Sequence, residues 1–423
     1  MHVGVYGSGY LATIVSACLA DFGVPVMCVD DDNARILALS KGETPHFEKN
    51  LQELMKRNIR SGRLMFSTEI TSLARNKQAI FIATDNGHYI EEIALRIARV
   101  CADPVIFVVC TPVPVGTSTN IERRIKATAP HITVVSHPLF LTDGCAVEDF
   151  NWPDRIVLGT NSADAVNSLK QLYRPLVMRG VPVIVTSFGT AELVREASTA
   201  FVATKQSFIN EISQLCEHVD ADAIDLSLAL GLDKKISPRC LQPGNGFGGP
   251  FVETEMDSLA QLAYSKGVSL RILSAAREVN TNLTDKIVNR MSQVLQSLSG
   301  KQVGVLGLSF KPNTNSVASS ASIAMVKKLL ERGARVRAYD PAAMTDAKAE
   351  LTSSVELCKD AYMATEAVDA IVIGTGWPEF KALDFPRIKR AVKRPLIVDP
   401  RNMLDSGRMK GLGFEYVGLG KVN

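Results

Sequence analysis

No two cysteines in this 423-residue chain have the C-x-x-C spacing, and no histidine stands at metal-ligand spacing. No apolar run is long enough to span a bilayer, and neither sign of charge predominates. Each absence excludes something. The eight cysteines (Cys18, Cys28, Cys101, Cys110, Cys145, Cys216, Cys240 and Cys358) are scattered, mostly in apolar runs. They read as free, largely buried thiols of a reducing cytoplasm, not as a disulfide scaffold or a metal site. With 47 basic and 44 acidic side chains the net charge is +3, too balanced to suggest a nucleic-acid or membrane-surface partner. The N-terminus MHVGVYGSGY lacks the basic and apolar segments of a signal peptide. A hydrophobic content of 46% with 22% charge describes an ordinary globular protein, and the length predicts two or three domains.

A further absence is local. Residues 241–257, LQPGNGFGGPFVETEMD, contain no Ser, Cys, Lys or His. From Gly244 to Thr254 the sole titratable side chain is Glu253. Gly244, Gly246, Gly248 and Gly249 allow a ligand to approach the main chain closely. Four glycines exceed what a plain interhelix turn needs. Yet if chemistry happens here, the loop supplies no obvious nucleophile.

What is present is organised strand and helix. Residues 2–6 form an apolar strand, Gly7-Ser8-Gly9-Tyr10-Leu11-Ala12 a turn, 11–22 a helix, and 24–29 a second strand ending in Asp30. G-x-G-x-x-A in this context is a dinucleotide-binding signature. Gly7 makes the turn, Gly9 admits a pyrophosphate, and Ala12 stands where helix and strand pack. Asp30 accepts from ribose hydroxyls, which favours NAD over NADP. Tyr10, Leu11 and Arg35 complete the expected cofactor-binding set. The alternative is a Rossmann fold that has lost its cofactor.

Further strands are expected at 78–84, 104–110 and 132–136, with helices at 33–40, 51–61, 90–100 and 120–129. The alternation predicts a doubly wound parallel sheet, with ligands beyond the strands' carboxyl ends. Those ends carry Asp85-Asn86-Gly87, Thr111 to Thr117, and His137-Pro138-Leu139. His137 is either an acid–base group or a structural histidine. Residues 190–219 predict one long helix whose stripe of Phe201, Phe208 and Ile212 is most simply core. Helices follow at 221–230, 253–266 and 270–297. At Lys301 a second, smaller sheet begins, with strands at 302–308, 334–339, 367–373 and 395–398. Lys311 and Arg401 stand at strand-end loops, as phosphate-neutralising or merely solvated charges. The expected architecture is α/β: two Rossmann-like doubly wound parallel-sheet domains, residues 1–189 and 299–423, joined by a central helical domain, 190–298.

Taken together these residues resemble the UDP-glucose/GDP-mannose dehydrogenase family, nearest its UDP-glucose 6-dehydrogenase branch. The resemblance runs through GSGYLA with Asp30, SGRLMFST at 61–68, PVPVGT at 112–117, AVEDFNWPDRIVLG at 146–159 and ATKQSFINEI at 203–212. It continues in LQPGNGFGG at 241–249, GLSFKPNT at 307–314, AYDPAA at 338–343 and VDPRN at 398–402. It implies an N-terminal NAD-binding domain, a helical dimerisation domain and a C-terminal domain for the UDP part of the substrate. It also implies two-step NAD-dependent oxidation of a sugar C6 alcohol through a cysteine thioester. The substrate-binding residues it implies are Lys235, Gly246, Phe247, Gly248, Gly249, Phe310, Lys311 and Arg401.

The chain departs from the family at the positions that carry chemistry. The nucleophilic cysteine reads Phe251, and the acid of the following Pro-Lys-Asp reads Glu255. The water-activating glutamate reads Leu139, and the second acid of that segment survives as Asp143. The helix lysine and asparagine read Arg195 and Thr199. The threonine of the Ser-Thr-Val-Pro-Val motif reads Pro112. The arginine after Phe-Lys-Pro reads Ala318. The Thr-Pro segment near NAD is absent around residue 85, which weakens the expected NAD site. Phe and Leu cannot hold a thioester or activate water, and Arg195 is a poor substitute for a titrating lysine. Cys240 and Cys145 do not fall at the nucleophile's position.

The expectation is therefore a pseudoenzyme that binds a UDP-sugar, NAD or both, as a homodimer or beside an active homologue. Two alternatives stay open. One is an NAD-dependent oxidoreductase with changed chemistry on a UDP-sugar, using Asp143, Glu255, Arg195 or His137. The other is a working UDP-glucose 6-dehydrogenase with a rearranged site.

Overall fold

The computed structural model describes residues 1–85, 87–351 and 353–421. Asn86 of the expected strand-end loop and the last two residues of the expected third domain lie outside them. The chain divides into two compact units, Met1–Ser198 and Thr199–Asn423, with the division inside the long helix Phe188–Cys216.

The first unit is built on eight strands: β1 (Val3–Tyr6), β2 (Val26–Val29), β3 (Leu64–Ser67), β4 (Ala79–Ile82), β5 (Val105–Val109), β6 (Ile132–Ser136), β7 (Ile156–Gly159) and β8 (Val183–Thr186). Their order is β3-β2-β1-β4-β5-β6-β7-β8. The first six follow the 3-2-1-4-5-6 order of a dinucleotide-binding sheet, which reverses between β1 and β4. β1 and β4 are buried along their whole lengths, as strands covered on both faces must be. That burial is why they read as unbroken apolar runs. The sheet is parallel as expected, with one pairing that departs from the pattern. β7 pairs antiparallel with β6 through Ser136 and Gly159, and β8 follows β7. β7 is buried along its length like the central strands, whereas β8 at the sheet edge is partly exposed.

The second unit contains the helices Ala223–Leu232, Val252–Ser265 and Arg271–Leu295. A six-stranded sheet follows: β9 (Gln302–Leu306), β10 (Arg335–Tyr339), β11 (Val355–Leu357), β12 (Ala370–Ile373), β13 (Leu396–Asp399) and β14 (Glu415–Gly418). It is parallel throughout, in the order β11-β10-β9-β12-β13-β14. The 3-2-1-4-5-6 order thus occurs twice in the chain. Both sheets also start alike. Gly7 follows β1 with φ +128°, and a Cβ there would lie 2.3 Å from the Ala83 carbonyl oxygen. Gly307 follows β9 with φ +98°, and a Cβ would lie 2.4 Å from the Thr375 backbone nitrogen. Each glycine lets the chain turn under the strand at the point where the order reverses.

The stripe expected as core is not core. Phe201 is 67% and Phe208 49% exposed. Helical spacing marks an apolar face but does not say what covers it. Among the described residues no helix is long and apolar enough to cross a membrane.

Candidate functional site

In the first unit, the turn after β1 opens the helix Tyr10–Asp21, whose cap residue Gly9 is extended. The Thr13 hydroxyl donates back to the Gly9 carbonyl at 2.7 Å. Ser8 is buried, and its hydroxyl has no hydrogen-bond partner among the described residues. The Gly9 Cα without a side chain, the orphaned Ser8 hydroxyl and the N–H groups at the helix N-terminus suit a pyrophosphate. At the end of β2 the Asp30 carboxylate accepts from the Asp32 N–H at 2.9 Å. Arg35 is tied to Asp32 and more than half exposed. The charge that Arg96 holds is Asp31, at 2.5 Å, which keeps that carboxyl below its usual range. Leu11 packs into the core. Tyr10 donates to Glu48, and burial first, that acid second, push its phenol well up. These groups fit a dinucleotide.

The other residues singled out in this unit are spread among different roles. Leu139 is buried in the core. Asp143 is half-buried, and its charge reaches Tyr10. Pro112 precedes the helix Thr117–Thr128, whose N-terminal N–H groups at Gly116 and Ser118 both donate to buried Glu192 at 2.7 Å. Arg195 lies one turn beyond on the same helix as Glu192, half-buried.

His137 is structural. It is buried, with Nδ1 2.8 Å from the Val157 carbonyl and Nε2 2.9 Å from the Tyr173 hydroxyl. A carbonyl can only accept, so Nδ1 carries the proton and Nε2 accepts from Tyr173. Burial lowers its pKa to about 4. The unfolded chain therefore takes up a proton near pH 6.5 that the folded chain refuses until about 4. Stability is full above pH 6.5 and is lost as pH falls through that window, by about 3 kcal/mol for this group. Urea midpoints measured across pH 4–7 should show the loss, and His137→Gln should flatten it.

In the second unit, the glycine-rich loop is fixed by asparagines. Gly244 N–H donates to Asn210 Oδ1 at 2.8 Å. Asn280 accepts from the Phe247 N–H at 2.9 Å and donates to its carbonyl at 3.1 Å. Asn245 donates to the Gly374 carbonyl at 2.8 Å, while its buried Oδ1 has no partner among the described residues. A Cβ at Gly246 would meet Asn280 Oδ1 at 2.3 Å, one at Gly248 the Ser319 carbonyl at 2.2 Å, and one at Gly249 the Phe310 ring at 2.8 Å. Three of the four glycines are thus sterically required. Gly244 is not, having nothing within 4 Å.

The loop meets the β9 and β12 ends at this sheet's reversal point. Arg401 donates to the Gly374 carbonyl at 2.8 Å and the Phe310 carbonyl at 3.2 Å. Burial draws its pKa down to about 10, so it stays charged at neutral pH. Lys311 lies over the Phe310 ring at 5.8 Å. Buried Asp340 holds this corner, accepting from the N–H groups of Leu308 and Ser309 at 2.7 and 2.9 Å and from Trp377 Nε1 at 3.1 Å.

Phe251 caps the helix Val252–Ser265, and its carbonyl accepts from the Glu255 N–H at 2.8 Å. One turn along, the Glu255 carboxylate is buried and receives the Thr199 hydroxyl. The structure thus brings Thr199 and Glu255 together one turn from Phe251, and Gly246 to Gly249 together with Phe310 and Arg401. Lys235 is exposed, on a segment whose carbonyls at Ile236, Ser237 and Arg239 all accept from Lys205 Nζ. Sequence reasoning missed Lys205, Asn210, Asn280 and Asp340. An asparagine inside a helix, where its propensity is poor, is the signal that was available.

Two reversal-point crevices, one fitted to a dinucleotide and one cationic and glycine-rich, define a two-Rossmann nucleotide-binding protein. Residues 1–177 match the NAD binding domain, 189–282 the central domain and 304–406 the UDP binding domain of the UDP-glucose/GDP-mannose dehydrogenase family. The chain is 37% identical to a UDP-glucose 6-dehydrogenase of Rhizobium meliloti, over the full length of both. It is 34% identical to one from Bacillus subtilis, covering 99% of this chain and 93% of that protein. The solved UDP-glucose dehydrogenase of Pyrobaculum islandicum superposes with a TM-score of 0.90 at 31% identity, covering 99% and 98% of the two chains. The chain belongs to the UDP-glucose/GDP-mannose dehydrogenase family. It is an oxidoreductase-family protein with NAD as cofactor and a UDP-sugar as small-molecule partner.

Proposed function

We propose that this protein is an NAD-dependent oxidoreductase acting on a UDP-sugar, UDP-glucose being the first candidate, by chemistry that does not pass through a thioester. Full-length similarity to UDP-glucose 6-dehydrogenases supports turnover over the pseudoenzyme expected from the substitutions alone. The observation that carries the changed chemistry is the pair of Phe251, a side chain without a nucleophile, and buried Glu255 one turn beyond it.

NAD, when bound, supplies the hydride acceptor. The loop glycines, Phe310, Lys311 and Arg401 hold the nucleotide end of the substrate. Glu255, oriented by Thr199, takes the alcohol proton as C6 is oxidised to the aldehyde level. The second oxidation of a two-step route needs a covalent or hydrated aldehyde. The positions matching the family's cysteine and water-activating acid hold Phe251 and Leu139, which provide neither.

The same reading includes the three-part division 1–189, 190–298 and 299–423, a cytoplasmic setting suited to eight free thiols, and a homodimer. Phe201, Phe208 and Leu215 recur every seven residues along one helix, 49 to 67% exposed. An apolar stripe of that kind suits a second copy of the chain. Light scattering should give twice the 45.8 kDa of one chain, and a single-chain mass overturns the dimer. Calorimetry tests the functional reading. NAD and UDP-glucose titrated separately should each bind, whereas binding of the sugar nucleotide alone favours a binding protein without turnover.

A further inference from the structure

The NAD site already holds an anion of the chain's own. Asp85 leaves the end of β4, beside the point where the sheet order reverses. Its Oδ2 lies 1.7 Å from where a Cβ on Gly9 would stand, and its Oδ1 accepts from the Leu11 N–H at 3.4 Å. The carboxylate therefore sits on the bare face of Gly9, over the first turn of Tyr10–Asp21. That is the place where a helix N-terminus favours negative charge and where a pyrophosphate must come closest to the main chain. Both groups cannot stand there at once. Two structural facts make the arrangement displaceable. The hydrogen bond is long, and Asp85 is exposed, so its side chain can turn out into water.

We propose that Asp85 is a built-in competitor for the cofactor's pyrophosphate: it occupies the anion place of the dinucleotide turn when no cofactor is bound and must swing aside for NAD to bind. Asp85 is then a residue that sets cofactor affinity without belonging to the chemistry. It discriminates among ligands by charge at the pyrophosphate position. The neighbouring acids Asp30 and Asp31 do not duplicate it, because they are engaged by the Asp32 N–H and by Arg96.

The inference rests on NAD binding in this unit, and its test separates the two. NAD, ADP-ribose and adenosine are titrated by calorimetry into the full-length wild type, D85A and D85N. Removing one partly solvated like charge from beside a pyrophosphate should tighten NAD and ADP-ribose about tenfold. Adenosine, which has no phosphate, should bind all three proteins equally. Melting of the unliganded variants should occur slightly below wild type, because the helix has lost its anion. Equal and measurable NAD affinity in all three proteins overturns the proposal alone. So does adenosine tightening as much as NAD, since that signals general loosening. Failure of NAD to bind any of the three overturns the proposal and the NAD reading with it.

Discussion

Gly248→Ala should weaken UDP-glucose binding by about tenfold to a hundredfold, because overpacking against backbone costs roughly 1–3 kcal/mol and 1.4 kcal/mol is a factor of ten. The added methyl would lie 2.2 Å from the Ser319 carbonyl oxygen. That oxygen is backbone and cannot rotate away as a side chain would. The next residue is pinned as well, since Gly249 N–H donates to the Ala318 carbonyl at 3.1 Å. The loop must therefore lift off the corner that carries Phe310 and Arg401. Gly244→Ala is the matched control. Nothing lies within 4 Å of its Cβ position, and its affinity should stay within a few fold of wild type. NAD affinity should be unchanged in both, because the dinucleotide turn is in the other unit. Calorimetry with each ligand checks all four values, and equal UDP-glucose affinities for the two variants would overturn the steric account.

Glu255→Gln should cut kcat by about a hundredfold to ten-thousandfold, the range of a positioned proton acceptor, and leave the affinity for UDP-glucose nearly intact. Glutamine keeps the shape and can still accept from the Thr199 hydroxyl, so the packing of this buried position survives. What is lost is the carboxylate's capacity to take a proton. Thr199→Val, which leaves the acid in place and removes the Thr199 hydroxyl, should cost less. If Glu255→Gln turns over like wild type, the proton goes elsewhere, and half-buried Asp143 becomes the next residue to test.

Much of this was legible in the chain itself, for physical reasons. The dinucleotide turn is legible because steric necessity fixes Gly7 and a buried strand on each side frames it. The glycine-rich loop is legible for the same reason, since Gly246, Gly248 and Gly249 meet a side chain, a carbonyl and a ring that leave no room for a Cβ. What covers an apolar face is not written in its periodicity, so Phe201 and Phe208 looked like core and are exposed. The direction of β7 depends on how the chain returns through residues 137–155, which no local pattern encodes. His137 shows the limit for chemistry. Its residue type suggested an acid or base, but its burial against Val157 and Tyr173 comes from contacts 20 and 36 residues away in sequence. The contact of Asp85 with Gly9 is of the same kind, spanning 76 positions. A carboxylate after a strand is unremarkable until the sheet order sets it beside the first turn.

We propose that oxidation ends at the aldehyde level, because the loop supplies no thiol. The measurement is the amount of NADH formed per UDP-glucose consumed, with the product identified by mass spectrometry after trapping any carbonyl with a hydrazine. One NADH per sugar and a trapped aldehyde are expected. Two NADH per sugar with a uronic acid product would contradict the claim, and would mean that this chain completes the full oxidation without a cysteine at position 251.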